Sequence, residues 1–106
     1  MKALEEYQSA LTISKDNPIL HFRTANCLAL LDRLDESINS YHATLAIVPK
    51  NHHARNNLGS IYYRTQKYPE ARREWEIALE IKPDFKIARM NLDKLDSMIH
   101  QNLVQA

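Results

Sequence analysis

The chain has 106 residues, 44% hydrophobic and 25% charged, with 14 Lys and Arg against 13 Asp and Glu and a single cysteine, Cys27. That length makes one small domain, able to bury roughly two thirds of the surface its unfolded form exposes. The charge balance excludes a global field for nucleic acid or anionic lipid, the lone cysteine excludes an internal disulfide framework, and no apolar run approaches the ~20 residues of a membrane span. One glycine in the whole chain, with apolar spacings of three and four throughout, predicts an all-helical protein with tight turns. The first segment, Lys2 to Ile13, carries acids where a secretory signal would have a basic start and an apolar block, so cytoplasmic residence is expected. Pro18 to Asn51 reads as two helices: Asn17 caps the first, Pro18 opens it, Asp35 caps the second and Pro49 ends it. His52 to Phe85 repeats that plan. Its first helix puts Ala54, Leu58, Ile61 and Tyr62 on one stripe, and its second puts Ala71, Trp75, Ala78, Leu79 and Ile81 on another. Pro69 suits the first turn of that second helix, where a missing N–H costs nothing, and Pro83 stops it. From Lys86 to about Val104 a last helix follows, with Ala88, Leu92, Leu95 and Ile99 as its inner stripe.

A shift of 34 residues lays the chain on itself, aligning Ala3, Ser37 and Ala71, then Tyr7, Tyr41 and Trp75, then Leu11, Leu45 and Leu79. Small residues recur with small and aromatics with aromatics. Such a period marks supersecondary units that stack on copies of themselves. The expected units are 1–17, the second helix of an incomplete repeat; 18–51 and 52–85, two full repeats; and 86–106, a capping helix. The cap reading rests on Asp93 and Asp96, which stand where a further repeat would want a small residue and a buried aromatic.

Between His52 and Phe85 the residues Leu58-Gly59, Tyr62, Ala71, Trp75 and Pro83 fall at fixed offsets. In this pattern the segment resembles a tetratricopeptide repeat. Arg55 departs from it, standing where the family often has Trp. The preceding repeat is a weaker match, with Ala25, Leu28, Ser37, Tyr41 and Thr44 at the key places. Both repeats lack the glycine usual in the turn between their helices, having Asp32 and Gln66 instead. If that turn needs a left-handed residue, each costs about 1 kcal/mol, less for Asp than for Gln.

The resemblance implies an all-α superhelix of about two and a half helix pairs plus a cap, acting as a protein-interaction module without enzymatic activity or cofactor. Its concave wall would carry Phe22, Asn26, Asn56, Asn57, Met90, Asn91 and Lys94, with Tyr63 and Arg64 on the lower rim. The implied partner is a protein or peptide. Asn57 and Asn91, one period apart, resemble the asparagine ladder of the repeat domain in O-linked N-acetylglucosamine transferase, and each amide would bond a peptide backbone unit. The family's carboxylate clamp for chaperone tails fits poorly: Asn26 and Asn57 match its amides, but Phe22, Ile87 and Asn91 replace its cations. Two alternatives stand beside groove binding. Ala3, Tyr7, Ala10 and Leu11 would normally pack on an absent helix and could drive self-association, or the segment could present substrate within a larger enzyme such as a glycosyltransferase. His52-His53 forms no metal set, because adjacent helical positions point about 100° apart.

Overall fold

The computed structural model describes residues 2–105, with side-chain surroundings given for residues 2–101. Six helices follow one another: α1 (Lys2–Ile13), α2 (Pro18–Leu30), α3 (Leu34–Ile47), α4 (His52–Arg64), α5 (Tyr68–Ile81) and α6 (Lys86–Gln105). Asparagine starts the first helix of each repeat. The Asn17 carboxamide oxygen accepts from the amides of Ile19 and Leu20, at 3.0 and 3.3 Å, and that of Asn51 accepts from Ala54 at 3.0 Å.

The second helices begin differently. Asp32 and Gln66 both adopt positive φ, 60° and 63°, as a glycine-less turn would require. Around Asp32 the amide of Arg33 reaches back to Leu28 O at 2.9 Å and that of Asp32 to Ala29 O at 3.1 Å. Around Gln66 the amides of Lys67 and Gln66 make the same pair of bonds to Tyr62 and Tyr63. This is the Schellman closure, with a non-glycine residue in the left-handed place. It corrects the expected role of Asp35. The closure is so tight that α3 resumes at Leu34, immediately after Arg33, and neither Arg33 nor Lys67 makes a side-chain cap. Asp35 lies inside the first turn, where its charge still favours the positive end of the helix.

α2 pairs with α3 and α4 with α5, and each pair packs on the next. The 34-residue echo becomes a set of tight contacts. Ala71 and Ala78 are fully buried, as is Ser37, whose hydroxyl donates to Ala25 O at 2.8 Å and so tolerates the place of an alanine. Gly59 lies under Trp75: a Cβ built on it would stand 2.6 Å from the indole nitrogen. Arg55, in the place of the family's Trp, forms a largely buried ion pair with Glu74 at 3.0 Å instead.

α6 closes the last core by burying Ala88, Leu92 and Leu95, with Ile99 packed beside them. Asp93 is exposed and Asp96 is bonded by Arg72, so the outer side of α6 is a charged surface. At the other end α2 covers the α1 face only in part. Leu4 is buried, and Ala3 and Tyr7 pack partly against Cys27 and Leu28 of α2. Ala10 and Leu11 are also half-covered.

Candidate functional site

The first helices of the repeats, α2, α4 and α6, stand side by side and are joined by side-chain bonds. Asn57 on α4 donates to the Asn26 oxygen on α2 at 3.3 Å, and Asn91 on α6 donates to the Asn56 oxygen on α4 at 3.0 Å. The Tyr41 hydroxyl donates to the same Asn26 oxygen. Burial pushes this phenol up to about 12, against a smaller downward pull from the neighbouring Asn57 amide, so it remains a neutral donor. Tyr41 was not expected at this wall, although its alignment with Trp75 placed it at the helix contact.

Asn56 corrects the sequence reading. Expected on the open wall, it is 94% buried, its residual exposure being 6%. Its backbone oxygen accepts from the Trp75 indole at 3.0 Å while its side-chain oxygen holds Asn91. Two adjacent amides leave a helix about 100° apart, and the one nearer the interhelix seam is consumed by it. Asn57 and Asn91 therefore do not offer two wholly free amides. Each has committed one N–H to a neighbouring helix and retains its second N–H and its carbonyl oxygen for other partners.

Around this amide row the wall is apolar. Ile19, Ile87 and Met90 are 60%, 54% and 67% exposed, high values for side chains of that size. Phe22 is half-buried, its ring edge against Tyr41 with centroids 6.1 Å apart. Between α4 and α6 lies a pocket of about 180 Å³ lined by Ser60, Tyr63, Arg64, Trp75, Asn91 and Lys94. Tyr63 is fixed there, its ring tilted on Trp75 and its hydroxyl directed to the Met98 sulfur at 3.6 Å. Arg64 reaches across to α2, bonding Asp32 at 2.9 Å and Ala29 O at 3.4 Å. Lys94 is exposed beside the pocket.

The charges of the wall are unevenly distributed among its helices. α2 and α4 contain no acidic residue, and the two acids of α6 include Asp96, which is turned to Arg72 of α5. Arg23 and Lys94 are exposed cations, Arg64 is paired with Asp32, and Asp93 is exposed on α6, so the wall carries charge of both signs. Among the described residues no group of three His, Cys, Asp or Glu is arranged to hold a metal ion. His52 and His53 lie with ring centroids 4.2 Å apart and both meet the edge of Phe85. Desolvation, then the neighbouring His53 and Lys82, hold His52 below the ordinary imidazole value of 6.5.

Comparison with known proteins agrees with this architecture. Residues 52–85 match the family model described as Tetratricopeptide repeat. The mouse protein named Protein O-mannosyl-transferase TMTC1 is 35% identical over 101 residues, covering 92% of this chain but 11% of its own length. The present chain thus spans about a tenth of that relative. Among solved structures, YrrB, described as a TPR protein with an unusual peptide-binding site, superposes with a TM-score of 0.80 at 25% identity, over 83% of this chain and 45% of its own. The first TPR of Spaghetti (RPAP3), bound to the HSP90 peptide SRMEEVD, has a TM-score of 0.87 at 21% identity, over 92% and 77%.

Proposed function

For a chain that belongs to the tetratricopeptide-repeat family, whose domains are generally protein-interaction modules, we propose that the α2–α4–α6 wall holds an extended peptide segment of a partner protein. One observation carries this reading: the wall exposes Ile19, Ile87 and Met90 around a row of amides that keep hydrogen-bonding capacity. Large apolar groups gathered on one exposed wall mark a docking surface, and amides between them match the repeating donors and acceptors of a peptide backbone. The description of YrrB as having a peptide-binding site supports the same assignment. Each backbone bond contributes only about 0.5–1.5 kcal/mol net, so affinity in the micromolar range is expected, with the apolar pockets supplying the larger part. In this reading the segment binds and does not catalyse.

Titration calorimetry against a peptide selected on the intact chain from a random library tests it. Asn57→Ala with Asn91→Ala should weaken that peptide several-fold. Unchanged affinity would remove the amide row from the mechanism.

A second reading is favoured by the similarity to the O-mannosyl-transferase relative. In it the array is the substrate-holding segment of a longer glycosyltransferase, with transfer performed elsewhere in that chain. Both readings place the work of this segment in the same wall.

A further inference from the structure

We infer that His52 and His53 form a proton-sensitive latch, which holds the start of α6 against the start of α4 at neutral pH and loosens as the pair becomes charged. The two imidazoles occupy the first two positions of α4, directly after the Asn51 cap. Their ring centroids lie 4.2 Å apart, and they pack on Phe85 at 4.9 and 5.4 Å with planes nearly perpendicular to it. Phe85 is only 7% exposed and shares a buried cluster with Ala78 of α5 and Ala88 of α6. Its carbonyl oxygen accepts from the Arg89 amide at 3.3 Å. The pair thus grips the residue from which α6 sets out. Ile87 and Met90, exposed on the wall, stand in the helical residues that follow.

The surroundings favour neutral rings. The positive end of the α4 dipole opposes an imidazolium in the first turn, and two imidazolium ions side by side repel. The charged side chains that reach His52 from the packed α5–α6 turn are Lys82 and Asp84, which lie 3.6 Å from each other, so the one carboxylate is already shared with a cation. Lys50 in the α3–α4 turn and Lys86 beside Phe85 are exposed and add positive charge. Arg55 on α4 itself is engaged with Glu74. Desolvation comes first among the causes that hold His52 low, with His53 and Lys82 next and Asp84 opposing them. In the unfolded chain the same imidazole titrates near the ordinary value of about 6.5. As the pH falls through that value the unfolded chain takes up protons that the folded one refuses, so the contribution is full at neutral pH and is lost in acid. The charge appears at the α4–α6 seam, and that seam is where the fold yields.

The latch is independent of what the wall binds, and no ligand enters its test. In proton NMR of the intact chain, the His52 Hε1 signal should titrate with a midpoint below that of His100, which is exposed on α6. The Met90 methyl signal should move with the His52 midpoint. In urea denaturation the transition should come at lower urea at about pH 5.5 than at about pH 7.5. The double variant His52→Gln, His53→Gln, with helicity checked by circular dichroism, should lose the greater part of that difference, whereas His100→Gln keeps it. A His52 midpoint at or above that of His100 overturns the latch, as does an acid loss that is the same in the double variant. A Met90 signal that does not follow His52 overturns the link to α6. The NMR titration is read on the unaltered chain and decides the matter even where the double variant does not fold.

Discussion

Gly59 shows how much one residue can decide. Glycine inside a helix costs about 1 kcal/mol relative to alanine, so by propensity alone Gly59→Ala should stabilise α4. The space says otherwise, since the new Cβ would stand 2.6 Å from the Trp75 indole nitrogen. That ring cannot retreat without breaking its bond to Asn56 O, and it is 3% exposed. Overpacking at such a contact typically costs about 1–3 kcal/mol, which at least offsets the propensity gain, so the expected net result is a loss of up to about 2 kcal/mol in urea denaturation. A gain in stability would mean that Trp75 has room to shift. The glycine was legible in the sequence because it is unique and sits one period-defined step from the aromatic. The fate of Asn56 was not. In the sequence it is one of two neighbouring amides, and a modest rotation of α4 about its axis settles which of them enters the seam.

At the scale of elements, the helix pairs were legible because proline, asparagine and the apolar stripe agree on their boundaries. The exception was the start of α3. Asp35 has the chemistry of a cap, but the turn before it is closed by backbone bonds around a left-handed Asp32, and that closure leaves no separate capping place. Both turns therefore store strain that a glycine would relieve. Gln66→Gly should raise stability by about 0.5–1 kcal/mol, because the left-handed conformation costs an L side chain about that much. Asp32→Gly should gain less, since short polar side chains tolerate the conformation and Asp32 also accepts from Arg64. Thermal melts of the two variants compare them directly. Equal gains, or none, would show that the turn conformation is not the limiting term.

Across the whole molecule the two ends resemble halves of one repeat. α1 has Ala3, Tyr7 and Ala10 at the places of Ala71, Trp75 and Ala78, while α6 has the register of α4. Two copies could therefore join head to tail, a contact that does not close on itself and leads to filaments. Asp93 and Asp96 oppose this. They occupy the places of Gly59 and Tyr62, and burying a carboxylate there costs several kcal/mol. Light scattering of the wild-type chain should show no growth of mass with concentration, whereas the double variant Asp93→Gly, Asp96→Tyr should associate. Identical behaviour of the two would remove the aspartates from this role. The chain's single tryptophan has a further consequence of its position. Trp75 belongs to the core, yet its edge forms part of the wall pocket. In the groove-binding reading its emission should therefore report two events on one chromophore: loss of the fold, when the indole meets water, and arrival of a ligand at the edge that lines the pocket. The molecule carries an intrinsic optical gauge of its own occupancy, with no label needed.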